Sequence, residues 1–202
     1  MADPIAIAVL AKAPVAGVAK TRLIPALGAE GAAALAERLI VRAVATACLA
    51  EVGPVTLWAA PDDSHPVFGT MRKTFAVAVK RQPDSGLGGR MHTAVTMADG
   101  PALVIGTDCP AFTADNLRAA AAALRTHPAV ITPAEDGGYV LIGLRRPQAA
   151  VFGGMKWGTS TVMAETRVRL QSLGLEWHEL PTLWDVDRPE DLHLMRREAM
   201  LD

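Results

Sequence analysis

Short apolar runs alternate with longer amphipathic ones along this chain, and that alternation restricts the fold more than any other feature. Pro4 to Ala11 is a short apolar run closed by Lys12-Ala13-Pro14, which reads as a buried, central strand. Ala29 to Glu51 follows Gly28 and is rich in Ala, Leu, Glu and Arg, a long helix by propensity. Further strands are expected at Val55 to Ala60, Phe75 to Lys80, Ala102 to Gly106, Ala129 to Pro133 and Tyr139 to Leu144, with Leu175 to Leu180 extended. Further helices are expected at Leu87 to Met97, from a Thr113 cap to about Leu124, at Thr161 to Leu173, and at Pro189 to Met200. Strands that alternate with helices build βαβ units, so the expected fold is α/β, a mainly parallel sheet covered by helices on both faces.

The size and charge of the chain agree. Its 202 residues suit one domain over 1–202, and folding should bury roughly 70% of the unfolded surface without a metal or disulfide staple. A net charge of −1 argues against a nucleic-acid partner. No apolar run approaches the ~20 residues of a membrane span. Ala11-Lys12-Ala13 mimics a signal-peptidase site, but Asp3 and no base precede a very short apolar run, so no signal peptide is expected. Cys48 and Cys109 make neither a disulfide framework nor a zinc site, as in a cytoplasmic protein.

In open α/β sheets the ligand crevice lies beyond the carboxyl ends of the strands, so the loops there carry the functional search. After the first strand come Lys12, Gly17, Lys20 and Arg22. A glycine lets the backbone approach a phosphate, and Lys and Arg supply point and forked positive charge. The loop is no P-loop, because Ala19 and Pro14 stand where that motif needs glycines, and the Rossmann glycine pattern is also absent. The plain alternative is a solvated basic loop; its place directly after strand one favours a phosphate cradle.

Gly106-Thr107-Asp108-Cys109-Pro110 ends the fourth apolar run. A carboxylate there points into the crevice and suits Mg²⁺, which takes one or two protein carboxylates and completes its shell with phosphate oxygens and water. Thr113 already serves the following helix as a cap, and Cys109 reads as a small buried thiol. Glu135-Asp136-Gly137-Gly138 explains itself as a hairpin turn, yet two acids beside the only Tyr, Tyr139, also suit substrate hydroxyls. Asp187 and Glu190 read as a capping box around Pro189, which leaves Asp185 free for a metal; alternate residues of an extended segment share a face, so Asp185 and Asp187 could ligate together. Ser160 or Thr161 reads as a helix cap. The five histidines show no metal-ligand spacing.

These segments, in this order, resemble a known family. Lys12-x-Pro14-x-x-Gly17-x-x-Lys20-Thr21-Arg22-Leu23, Gly106-Thr107-Asp108-Cys109-Pro110, Glu135-Asp136-Gly137-Gly138-Tyr139 and Asp185-Val186-Asp187-x-Pro189-Glu190-Asp191-Leu192 are similar to the radical-SAM/selenodomain-associated transferases, which are glycosyltransferase-A-like. The chain also looks like a relative of phospholactate guanylyltransferase and of the molybdenum-cofactor guanylyl- and cytidylyltransferases. One departure is visible: Ser85-Gly86-Leu87-Gly88-Gly89-Arg90-Met91 has Gly86 where the family usually has an acid, while Arg90 and Met91 are kept.

The resemblance implies a three-layer αβα nucleotide-diphospho-sugar transferase fold with a mixed, mainly parallel sheet. It implies that Lys12, Gly17, Lys20, Arg22, Arg90, Glu135 and Asp136 bind the nucleotide-activated donor, with Lys20, Arg22 and Asp108 at the reaction. It implies Mg²⁺ or Mn²⁺ on Asp108, Asp185 and Asp187. The expected activity is transfer from a nucleoside triphosphate or a nucleotide-sugar to a small acceptor; the alternative is a nucleotide-binding module without catalysis.

Overall fold

The computed structural model describes residues 3–197. Strand β1 (Ala6–Lys12) lies inside the sheet, as its unbroken apolar run requires, and its two faces feed two different cores. Ile7, Val9 and Ala11 face one way, toward helices α1 (Ile24–Ala50), α2 (Pro66–Phe75) and α4 (Ala114–Thr126). Ala8 faces the other way, with Leu10 partly buried beside it, toward α3 (Leu87–Thr96), the short α5 (Ala149–Phe152) and α6 (Val162–Ser172). The remaining strands are β2 (Val55–Ala60), β3 (Ala78–Arg81), β4 (Ala102–Ile105), β5 (Ala129–Pro133), β6 (Tyr139–Leu144) and β7 (Trp177–Glu179).

The sheet order is β3-β2-β1-β4-β6-β5-β7, and every neighbouring pair is parallel except those of β6 with β4 and β5. The architecture is therefore αβα with a mixed, mainly parallel sheet. From β1 the chain winds outward through β2 and β3, then crosses back to place β4 on the other side of β1. The carboxyl ends of β1 and β4 thus flank the switch point of the sheet, where the connecting loops diverge and leave a crevice.

Several expected elements shift, each for a local reason. Phe75 does not open a strand; it closes α2, a helix the sequence reading omitted, which starts at Pro66 behind a His65 cap and buries Val67, Phe68 and Met71. Strand β3 begins at Ala78 instead. Helix α1 starts at Ile24, ahead of Gly28, because Gly28 takes φ +71° and kinks the helix without ending it. Thr113 caps α4 as expected, in a reciprocal box with Asn116. Thr161 precedes α6, but its hydroxyl lies against the Glu165 carboxylate and caps no backbone N–H. The final helical stretch is a 3₁₀ turn at Pro189–Asp191 followed by α7 (Leu192–Arg197); residues 198–200 of the expected helix lie outside the described residues.

A third apolar cluster fixes the C-terminal segment to the site. Val186, fully buried, packs with Leu23 and with Ala32, Leu35 and Leu39 of α1, and Leu192 and Met195 of α7 complete the cluster. Val186→Ala should cost about 2 kcal/mol of unfolding free energy, from lost transfer energy plus an imperfectly closed cavity. Urea titration checks this: an unchanged midpoint would mean that Val186 does not anchor the segment.

Candidate active site

The loop after β1 turns inward through two residues with positive φ. Gly17 takes φ +77°, and Lys20 takes φ +49°, the left-handed region that a side-chain-bearing residue seldom occupies. This directs the Lys20 side chain into the molecule, where it is 7% exposed. Its Nζ lies 2.7 Å from Asp108 Oδ1 and donates to the Val186 carbonyl at 2.5 Å. One ammonium thus ties together the loop after β1, the loop after β4 and the C-terminal segment. Thr21–Leu23 forms a single 3₁₀ turn; Leu23 is buried under it, and Arg22 pairs with Asp187.

The segment Asp185-Val186-Asp187 is pinned at its middle. The Val186 N–H donates to the Asp108 carbonyl at 2.8 Å, and with the side chain of Val186 in the core, the two flanking carboxylates line the crevice. The expected capping box is one residue out of register. It is Asp191, not Glu190, whose carboxylate accepts the backbone N–H groups of Asp187 (2.9 Å) and Arg188 (2.7 Å). Asp187 is free of capping duty because the turn starts one residue later, and its carboxylate turns to Arg22. The Asp185 carboxyl is a weaker acid than usual. Burial pushes its carboxyl up to about 6, with the Asp136 and Asp108 charges adding to the effect and Lys20 opposing it.

Asp136 reaches the same crevice from the β5–β6 hairpin. Its Oδ1 accepts the Gly138 N–H at 2.8 Å, an Asx turn, and Gly137 takes φ +89° with its carbonyl accepting from Met163 N–H at 2.8 Å. A Cβ on Gly137 would stand 2.2 Å from the Ser160 carbonyl, so glycine is required for the hairpin to rest against the 157–160 loop. The adjacent wall is aromatic, with Trp157 edge-on to Tyr139 at 6.3 Å.

The result is a cleft of about 660 Å³. Of the residues expected there, Lys12, Lys20, Arg22, Arg90, Asp108, Asp136, Asp185 and Asp187 line it, whereas Gly17 and Glu135 do not. Gly17 shapes the loop from behind, and Glu135, next to the inward-facing Asp136 in a tight turn, is exposed. Gly86 starts α3 with open space where a side chain would project, and nearby Asp84 pairs outward with Arg81. Cys109 lines the cleft, but burial pushes its thiol up to about 12, which suits a packing role and not a nucleophile.

Sequence reasoning missed Gln82. It is buried, its amide donates to the Ala11 carbonyl at 3.0 Å and the Trp58 carbonyl at 2.8 Å, and its Oε1 accepts from Arg90 at 3.3 Å. A lone polar residue directly after a strand was the only signal. Arg90 is held a second time through the Ser85 carbonyl at 2.8 Å.

Among the described residues no three His, Cys, Asp or Glu side chains converge as a complete metal site. The donors do fit a hard divalent ion that brings other ligands with it. Asp108 and Asp185 offer carboxylate oxygens to one cleft, where the Asp108 charge adds to the effect of burial in raising the Asp185 pKa, and Mg²⁺ or Mn²⁺ completes its shell with phosphate and water. Asp187, engaged by Arg22, is the least available of the three carboxylates expected to ligate.

The Asp185 shift predicts a pH dependence. The folded protein holds this proton more tightly than the unfolded chain, so the group's stabilising contribution is complete below about pH 4 and is lost as pH rises through about 6. Asp185→Asn removes that loss. Its melting temperature should exceed that of wild type at pH 7.5, and the gap should narrow steadily as the pH falls toward about 4. A gap that does not change with pH contradicts the assignment.

Comparison with known proteins identifies the fold. A protein provisionally named a nucleotide-diphospho-sugar transferase, from Desulfovibrio desulfuricans G20, superposes with a TM-score of 0.87 at 27% identity, over 96% of this chain and 86% of that one. The CMP:2-keto-3-deoxy-manno-octonic acid synthetase in complex with CTP shares the fold with a TM-score of 0.62 at 13% identity, over 98% of each chain. Rv0371c of Mycobacterium tuberculosis H37Rv in complex with manganese does so with a TM-score of 0.57 at 14% identity, over 95% of this chain and 97% of that one. No curated protein sequence matches the chain significantly. The fold is that of the nucleotide-diphospho-sugar transferases, and the family profile described as "Uncharacterized protein conserved in bacteria (DUF2064)" matches residues 43–159, so the chain belongs to the DUF2064 family.

Proposed function

We propose that this protein is a transferase that binds a nucleotide-activated donor, with Mg²⁺ or Mn²⁺, in the cleft between the carboxyl ends of β1 and β4. The observation that carries the reading is the Lys20–Asp108 ion pair at the switch point of the sheet. It sets a buried cation and a carboxylate side by side where a phosphate chain and its metal would lie. The solved structures with CTP and with manganese support the same reading for this fold.

Lys20 and Arg22 reach the donor phosphates from one loop, and Lys12 and Arg90 line the same half of the cleft. The developing negative charge on the leaving diphosphate or pyrophosphate falls to these cations and to backbone N–H groups of the loop. Asp108 and Asp185 would hold the divalent ion, whose chemistry when bound is to neutralise phosphate charge and orient the leaving group. The acceptor oxygen forms the new bond as the bond to the leaving phosphate oxygen breaks, and its proton passes to solvent.

Two donors fit this clamp. A nucleotide-sugar would be attacked at its anomeric carbon and release a nucleoside diphosphate. A nucleoside triphosphate would be attacked at its α-phosphorus and release pyrophosphate, in keeping with the resemblance to guanylyl- and cytidylyltransferases. Assays over both donor classes with Mg²⁺, read for the released phosphate species, separate the two; release of neither would leave a nucleotide-binding module.

Arg22 is the cleaner probe of the clamp, because Lys20 also holds the Val186 carbonyl. Loss of one charge-assisted phosphate contact is worth about 1.5–3 kcal/mol, so Arg22→Ala should weaken a nucleoside triphosphate about tenfold or more and leave the bare nucleoside unchanged. Isothermal titration calorimetry checks this. Equal losses for both ligands would move Arg22 out of the phosphate site.

A further inference from the structure

The cleft is electrically divided, and the division bears on the acceptor. Its four basic side chains, Lys12, Lys20, Arg22 and Arg90, come from the end of β1, the loop after it and α3. Among the described residues no Lys, Arg or His lines the cleft beyond α3. The far half is walled by Tyr139 and Trp157, which meet edge to face, and carries Asp136 and Asp185. Asp108 is matched by Lys20 and Asp187 by Arg22, whereas Asp136 has no ion pair among the described residues and accepts only the Gly138 N–H. A divalent ion held by Asp108 and Asp185 would still leave the Asp136 charge uncompensated.

The aromatic pair is held firmly. The hydroxyl of half-buried Tyr139 points to Met91 Sδ at 3.8 Å. The Trp157 ring lies so close over Gly88 at the start of α3 that a Cβ there would come within 2.9 Å of it. An apolar ring face beside carboxylate acceptors suits a molecule with C–H faces and hydroxyl or ammonium donors. It opposes a phosphate or carboxylate, because like charges repel and, among the described residues, no cation lines that half of the cleft.

We infer that the acceptor is a hydroxyl-bearing molecule without negative charge, neutral or cationic, seated between Trp157 and Asp136. This rests on the proposed transferase reading and deepens it. The cations of the cleft are committed to the donor phosphates, so an anionic acceptor would find only carboxylates at the far end. Asp136 accepts a hydrogen bond from the acceptor, and the Trp157 face carries its apolar side.

The test uses the full chain with Mg²⁺ and whichever donor binds by calorimetry in a panel of nucleoside triphosphates and nucleotide-sugars. A small-molecule extract of bacterial cells is split on an anion exchanger into a flow-through of neutral and cationic compounds and an eluate of anions. Donor-derived phosphate release is then measured with each. The flow-through should stimulate release at least tenfold more than the eluate at matched concentration. Asp136→Asn, which keeps the turn bond to Gly138, should shrink that preference, and Asp136→Lys should reverse it. Stimulation mainly by the eluate, or a preference unmoved in both variants, overturns the inference while leaving the donor site standing. Donor binding with stimulation by neither fraction, or no donor binding at all, overturns the transferase reading and this inference with it.

Discussion

A single buried ammonium holds the working parts of this molecule together. Lys20 is bound to a carboxylate at the end of β4 and to a carbonyl of the C-terminal segment, although it belongs to the loop after β1. Breaking such a buried pair from one side costs far more than the pair contributes as a whole, because the partner is left charged and unsolvated. Here Asp108 is half exposed, so the carboxylate can change partners while the ammonium is the constrained member. That asymmetry suits a site in which an incoming phosphate and cation exchange places with an internal ion pair.

The C-terminal segment depends on the same arrangement through packing. Val186 in the third apolar cluster and its N–H on the Asp108 carbonyl set Asp185 and Asp187 at the cleft wall, and Asp191 closes the turn behind them. Apolar burial therefore holds Asp185 where the Asp136 and Asp108 charges repel it. The raised pKa of Asp185 is the electrostatic consequence of that burial.

Much of this was legible in the sequence because it rests on local patterns. β1 and β4 announce themselves as unbroken apolar runs, and the loops at their carboxyl ends line the cleft. Lys20, Arg22, Asp108, Asp136 and Asp185 were visible as charges stranded at strand ends. What escaped notice was set by tertiary geometry. α2 was hidden because its buried face is only Val67, Phe68 and Met71 in a polar stretch. The register of the C-terminal cap could not be read, since Asp187, Glu190 and Asp191 offer two nearly equivalent boxes and only the Arg22 pairing separates them. Gln82 carries no motif at all; its importance lies in two carbonyls from β1 and β2 that only the folded sheet brings to it. Glu135 shows the opposite error: adjacent acids in a tight turn point to different sides, and only Asp136 faces the cleft.

The central claim is that the switch point between β1 and β4 is the donor phosphate site. A crystal structure of the protein with Mg²⁺ and a non-hydrolysable nucleoside triphosphate tests it most directly. The account places the phosphates against Lys20 and Arg22, with the metal bound by Asp108 and Asp185 and the Lys20–Asp108 contact opened. Phosphates bound elsewhere, with that ion pair intact, would contradict it.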